Sequence, residues 1–208
     1  MFLQAKPVFP AGKSCEMHTF AAFRTTALDI KNATLHIAAA DFYQVWINGK
    51  FLSFGPARTA KGYAREDELS LEQLAVEGEN EIVIGVVCHY CRSLSTVMQP
   101  GFLQAEIRRG DEVICATGKD FEGYLPSCRV RKVERFSTQR HFGEVWDFRG
   151  GSSWAKNAER CELAVMENPP AILERHAPYA YYEDIPVANA SSKGTLTYNE
   201  NKPSNSLC

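Results

Sequence analysis

The order of apolar and polar positions divides most of the chain into short strands separated by turns. Residues 33–40 (ATLHIAAA) are apolar enough for a buried strand. Residues 42–47 (FYQVWI) follow, then Asn48-Gly49, then a return run over residues 51–54 (FLSF). Asn-Gly between two β-prone runs is a strong hairpin signal, because both residues tolerate the positive φ of a type I′ turn. Gly55-Pro56 ends that strand and opens a loop over residues 57–64. Ser70-Leu71-Glu72-Gln73 has capping-box spacing and predicts a short helical turn over residues 71–75. Gly78-Glu79-Asn80 reads as a turn. Residues 81–90 (EIVIGVVCHY) are apolar at successive positions, which predicts a strand covered on both faces. Residues 102–108 and 112–116 flank Gly110-Asp111 as a second hairpin. Residues 127–136 alternate and predict a last long strand.

Strands joined by tight turns, with little helix, indicate an all-β antiparallel jelly-roll sandwich. The character changes near Gly150. Asn168-Pro169-Pro170 interrupts any regular element. Tyr179, Tyr181 and Tyr182 then precede a polar end over residues 191–208. The expected division is a sandwich over residues 1–150, followed over residues 151–208 by an irregular extension that begins a further domain.

Composition narrows the classes of function. The chain has 208 residues, 45% of them hydrophobic and 23% charged, enough for a real core without metals or disulfides. Its net charge of −2 lacks the cationic surplus that general nucleic-acid binding needs. No apolar run is long enough for a membrane helix. Residues 1–12 lack a charged head followed by an apolar stretch, so no signal peptide is expected. The seven cysteines are odd in number and irregular in spacing, which fits free thiols in a reducing cytoplasm.

Four groups could carry chemistry. Cys88-His89-Tyr90-Cys91 has CxxC spacing, but no second ligand pair accompanies it, and a structural zinc needs four ligands. Two core cysteines at the end of a buried strand are the expectation. Glu144 and Asp147 are paired carboxylates, which can act on a glycosidic bond. Spacing along a chain fixes no separation across a substrate, and a hydrogen-bonded loop is favoured. Arg129, Arg131 and Arg135, with Arg140 and His141 beyond, put cations mainly on one strand face. This could serve an anionic ligand or nucleic acid, but a row without interleaved stacking aromatics is weak evidence for that. The two favoured readings are an exposed face or pairing with Glu144 and Asp147. Arg58, Tyr63, Arg65 and Glu66 follow Gly55-Pro56 on a loop at one end of the sandwich. Loops on a rigid β-scaffold are common binding sites. A sugar offers hydroxyls to Arg58, Arg65 and Glu66, and an apolar C–H face to Tyr63 or Trp46. The competing reading is a loop packed on a neighbouring domain. No phosphate loop, GxSxG elbow or HExxH motif occurs.

Several of these segments fall into an order that resembles a known family. Residues 40–50 (ADFYQVWINGK), then Gly55-Pro56-Ala57-Arg58, then Gly78-Glu79-Asn80-Glu81-Ile82, are similar to the N-terminal accessory β-sandwich of bacterial α-L-rhamnosidases and related large glycoside hydrolases. Gly143-Glu144-Val145-Trp146-Asp147-Phe148-Arg149 is similar to the segment that follows that sandwich, with Trp146 where Tyr is usual. Trp154 and Pro169-Pro170 also fall where the family has a Trp and prolines. The resemblance covers residues 20–178. It implies a galactose-binding-like sandwich, and a longer protein that removes terminal rhamnose or a related sugar. The family's catalytic carboxylates lie in a later helical barrel, so no catalytic residue carries over to this chain. The implied partners are carbohydrate and the catalytic domain of the same polypeptide. No cofactor is implied. Some galactose-binding-like folds hold a structural calcium ion, and the sequence leaves that open. Two departures stand out: Cys88-His89-Tyr90-Cys91 at the end of the central strand, and a 59–67 loop without the family's Tyr-Asp pair.

Overall fold

The computed structural model describes residues 1–149 and 158–183, together with residues 185, 186, 189 and 194. Thirteen strands form two sheets, and no α-helix occurs among the described residues. Sheet I contains β1 (Val8–Pro10), β3 (Thr34–Ala40), β6 (Tyr63–Ser70), β8 (Phe102–Arg109), β9 (Glu112–Ala116), β12 (Leu163–Val165) and β13 (Ala171–Glu174). Its order is β12-β1-β8-β3-β6-β13, with β9 also on β8. Sheet II contains β2 (Thr19–Leu28), β4 (Phe42–Ile47), β5 (Lys50–Gly55), β7 (Glu79–Cys88), β10 (Glu122–Pro126) and β11 (Ala158–Cys161), in the order β11-β10-β2-β7-β4-β5. Every pairing is antiparallel except β13 on β6.

The core lies between the sheets. Leu35, Ile37, Leu103 and Ile107 meet Phe23, Val45, Ile47, Ile82 and Ile84, all fully buried. The period of two is clearest in β4: Tyr43, Val45 and Ile47 point inward, while Phe42, Gln44 and Trp46 stay partly exposed on the outer face. β7 is buried on both faces, as its apolar run predicts.

Asn48 and Gly49 both have positive φ, 51° and 76°, and close the β4–β5 hairpin as expected. The hairpin is also tied down. Asn48 Nδ2 donates to Asn80 Oδ1 at 2.9 Å, and Asn48 Oδ1 accepts from Glu81 N–H at 3.0 Å. Asn80 is fully buried and satisfies Val76 N–H, Val76 O and Gly78 O around it. The Asn-Gly and Gly-Glu-Asn segments, far apart in sequence, are thus one hydrogen-bonded corner. Residues 71–75 make the expected single turn, with Ala75 N–H donating to Leu71 O at 2.9 Å.

A second corner joins the sheets. Tyr43 Oη donates to Asp67 Oδ2 at 2.5 Å, and burial, with Asp67 beside it, pushes that phenol far above its ordinary pKa. Arg175 Nη1 donates to Asp67 Oδ1 at 2.9 Å, and its guanidinium lies 4.3 Å from the Tyr179 ring centre. A Cβ on Gly55 would fall 2.5 Å from both Asp67 Oδ2 and the Tyr43 ring, so only glycine fits there.

Two expectations are corrected. Residues 127–136 are not a strand. Only an isolated bridge between Arg129 and Trp146 forms, because Arg129 turns inward and the segment lies across sheet II as a cap. The strand before it is β10. The loop expected over residues 57–64 ends at Gly62, since Tyr63 opens β6. That strand hides in sequence because its buried side chains include two carboxylates, Glu66 and Asp67, on opposite faces. Beyond residue 150, β11, β12 and β13 pair with β10, β1 and β6. Trp154, and residues 191–208 apart from residue 194, lie outside the described residues.

Candidate functional site

The outer face of sheet II is a trough. In register across β2, β7, β4 and β5 lie Ala22, Gly85, Gln44 and Phe54; the next row holds Phe20, Val87 and Phe42. Small residues in the middle of the sheet and aromatic ones at its margin leave a hollow. Phe42 and Phe54 stack with ring centres 5.6 Å apart.

Residues 127–149 cross this face and close part of it. Val130 N–H donates to Val145 O at 3.0 Å, and Asp147 N–H donates to Cys128 O at 2.7 Å, so the cap is a narrow ribbon. The Arg129 guanidinium sits 5.0 Å from the Trp146 ring centre and 5.7 Å from that of Phe20, a cation–π arrangement. It forms an ion pair with Glu144, which also accepts from Trp146 Nε1 at 2.9 Å. Between cap and sheet remains a cleft of about 240 Å³, bordered by Phe42, Gln44, Phe54, His89, Arg129, His141, Phe142 and Glu144.

Two histidines, His89 and His141, form its inner wall, and His18 stacks on His89. His18 Nδ1 and His89 Nδ1 are 3.1 Å apart, so one donates and the other accepts, which requires at least one neutral ring. His141 stacks on His89 with ring centres 4.3 Å apart. Burial, then neighbouring Arg129 and His141, lowers the His18 pKa to about 4. Burial, then His141 and His18, lowers that of His89 to about 3. Both rings are therefore uncharged at neutral pH. Asp41 Oδ2 accepts from His89 N–H at 2.7 Å, and burial raises this carboxyl to about 6 against the opposing hydrogen bonds from the His89 and Tyr90 amides.

The residues singled out from sequence are dispersed. Arg58 donates to Leu94 O, and Arg65 donates to Arg58 O at 3.0 Å and to Glu174 O at 2.8 Å, so these two adjoin. Tyr63 is exposed on β6, opposite Ala171 of β13. Glu66 is buried on the outer face of sheet I, 2.7 Å from the Met1 ammonium and 2.9 Å from His36 Nδ1. Burial would raise its pKa, but the hydrogen bonds from His36 and Met1 hold it down. Trp46 alone stands on the cleft's face, two residues from Gln44, with its ring centre 6.0 Å from that of Phe51. Of the cationic row, Arg129 pairs with Glu144, one of the two readings given for it. Asp147 pairs with Arg149 at 2.5 Å, and those hydrogen bonds lower its carboxyl to about 2. Phe42, Gln44, Phe54 and Phe142 were not candidates. The signal of the first three is parity: aromatic and amide side chains occupy outward positions of β4 and β5, where charged ones are usual.

Metal chemistry finds little support in the donor sets. Cys88 and Cys91 are buried, and burial pushes the Cys88 thiol up, away from the thiolate a metal needs. Among the described residues, His36, Glu66 and Glu68 gather ligand atoms within 4.8 Å. That set does not suit calcium, which takes about six to eight oxygens. One donor is an imidazole, and the Met1 ammonium and Arg108 already face Glu66.

No family model matches the chain, and no curated protein matches it. Solved structures do share its fold. A GH78 family rhamnosidase of Bacillus sp. GL1 superposes with a TM-score of 0.75 at 19% identity, over 86% of this chain and 20% of that one. The α-L-rhamnosidase from Dictyoglumus thermophilum gives 0.59 at 15% identity, over 84% and 22%. The α-L-rhamnosidase from Aspergillus terreus gives 0.54 at 14% identity, over 80% and 21%. The chain therefore spans about a fifth of the length of these enzymes, and it has the fold of a β-domain found within α-L-rhamnosidases.

Proposed function

We propose that this chain is a non-catalytic accessory domain of a larger α-L-rhamnosidase-like glycoside hydrolase, and that the sheet II cleft receives one sugar ring. The observation that carries this reading is the cleft's make-up. Phe42, Phe54 and Phe142 offer apolar faces for sugar C–H groups, while Gln44, Glu144 and His141 offer hydrogen-bonding edges. Few placed polar groups on a mostly apolar wall is the usual composition of a small-molecule site. The order of motifs along the chain supports the association with rhamnosidases, and so does the shared fold.

Calorimetric titration of the chain with rhamnose, galactose and rhamnosylated glycans tests it. Saturable heats that Gln44→Ala weakens are expected. Flat heats at millimolar sugar would remove the binding role.

A packing role is the second reading. Phe51 is 40% exposed and Tyr182 43%, with ring centres 5.1 Å apart, an apolar surface beside the cleft. Under this reading the pair is covered by a neighbouring domain in the intact protein, and a structure of that protein with both rings in solvent would count against it.

A further inference from the structure

We infer that a second cavity, on the side of Arg129 away from the cleft, is a binding site for an oxyanion such as a carboxylate or sulfate. The cavity measures about 220 Å³ and is bordered by Lys13, Glu16, His18, Arg129 and Arg131, with Phe20 and Pro126 as apolar walls. Two of these residues are deeply buried and carry a nitrogen that no described group satisfies. His18 is 2% exposed and its Nε2 has no hydrogen-bond partner; Arg129 is 8% exposed and its Nε has none. Leaving such groups unpaired costs about 1–3 kcal/mol each, so native folds rarely do so without a ligand or water.

The two orphan groups come from different parts of the chain. His18 precedes β2, and its Nδ1 is occupied by His89, which directs the opposite ring edge, Nε2, elsewhere. Arg129 is held by the cap, its ring contacts with Phe20 and Trp146, and Glu144 on the cleft side. Lys13 and Arg131 add charge at the rim. Glu16 is the one carboxylate bordering the cavity, and it lies 3.4 Å from Lys13 and 3.1 Å from Arg131. Three cations against this single acid leave the cavity cationic. An oxyanion entering it competes with Glu16 for Lys13 and Arg131, and a shift of the His18 and Arg129 side chains in the cavity wall brings their covered Nε2–H and Nε–H to its oxygens.

The shared chemistry is the anionic oxygen pair, from an acidic sugar or from a free inorganic anion. The test follows the His18 ring signals of the full chain by NMR at about pH 6, where a neutral and a charged imidazole are distinguishable. Sodium sulfate, galacturonate and galactose are added at constant ionic strength. Saturable shifts of Nε2 with galacturonate, with or without sulfate, are expected, and galactose leaves Nε2 in place. Response to both anions identifies a general oxyanion site; response to galacturonate alone identifies a sugar-acid site. In the double variant Lys13→Gln, Arg131→Gln the affinity falls roughly tenfold. Both substituted positions are at the rim, so the fold is kept, and Arg129 is left intact because it holds the cap. No shift with either anion overturns the site. So does an anion response unchanged in the double variant, or an equal response to galactose. The cleft reading is tested with neutral sugars, so the two can fail separately.

Discussion

The two outer faces of this sandwich are covered in opposite ways. On sheet I the cover is sealed. Ala38, Ala40, Ala64 and Phe102 are buried beneath Phe2, Met166 and Ile172. The fully buried Glu106 accepts from the Leu3, Gln4 and Ala5 amides at 2.8–2.9 Å, and Arg108 lies 3.5 Å away. On sheet II the cover is a ribbon that leaves a cleft on one side of Arg129 and a cationic cavity on the other. Among the described residues, the buried nitrogens His18 Nε2 and Arg129 Nε, both under this ribbon, have no hydrogen-bond partner. One face spends its polar groups on itself; the other keeps donors available. That asymmetry, more than any single residue, is why we propose sheet II as the binding face.

The largest test of the contrast removes the seal. Glu106→Ala deletes the acceptor of three amides and leaves Arg108 without that partner. A loss of ~3–5 kcal/mol is expected, as for other broken buried charge networks. Urea unfolding measures it. A loss below about 1 kcal/mol would show that the cover of sheet I is no more than a loose strap.

Next in size is the corner between the faces. Gly55→Ala drives a Cβ into the Tyr43–Asp67 hydrogen bond. Overpacking of this kind costs ~1–3 kcal/mol. Asp67 also anchors Arg175, so limited proteolysis should cut earlier within residues 171–182 in the variant. A variant with wild-type melting and wild-type cleavage would mean that the corner yields without strain.

The third test separates the faces by pH. His18 and His89 titrate lower in the fold than their ordinary 6.5, so the unfolded chain takes up protons first as pH falls. Their stabilising neutrality is complete above about pH 6.5 and is lost toward about pH 4 and 3. Arg129, Arg131, Arg135 and His141 face these rings and oppose their protonation. Asp41 acts in the other direction. Its folded pKa is raised from 3.8 to about 6, so it favours the fold at low pH and loses that contribution as pH rises through 6. Between about pH 6 and 4 the net is one proton more on the unfolded chain, a decline of ~1.4 kcal/mol per pH unit. Asp41→Asn keeps the acceptor for His89 N–H, removes the offset and steepens the decline to ~2.7 kcal/mol per unit. Chemical denaturation at stepped pH checks both slopes, and a flat profile would sink the histidine account.

Much of this architecture is written locally. The Asn48-Gly49 turn, β4, β7 and the β8–β9 hairpin follow from period, turn chemistry and run length. The segments that resemble rhamnosidase accessory domains turn out to share a physical basis: Asn48 bonds Asn80, and Gly55 makes room for Tyr43 and Asp67. They mark the scaffold, and two of them also reach the cleft, through Phe42, Gln44 and Glu144. β6 escaped because buried carboxylates paired with Met1, His36 and Arg175 look like a surface run. The 127–149 cap escaped because its alternation reflects contacts with a sheet beneath it, and no local pattern separates that from a strand. The histidines are scattered at positions 18, 89 and 141, and only the β2–β7 pairing and the cap bring them together.

The smallest expected effect on stability is also the sharpest on function. Phe54 is 42% exposed at the cleft margin, stacked on Phe42. Its backbone carbonyl, not its ring, accepts from Tyr182 Oη at 3.2 Å, so truncating the ring keeps that tie. Phe54→Ala should therefore change stability by less than about 0.5 kcal/mol, as surface substitutions usually do. An aromatic side chain stacked against a bound ligand carries a large share of the affinity, so neutral-sugar binding should weaken roughly tenfold. Oxyanion binding beside His18 should be unchanged, because Phe54 does not border that cavity. The same truncation at Phe102, fully buried under the cover of sheet I, should cost ~3–5 kcal/mol. It should leave sugar affinity alone wherever the variant still folds. Equal stability losses for the two variants would erase the difference between a sealed face and an open one.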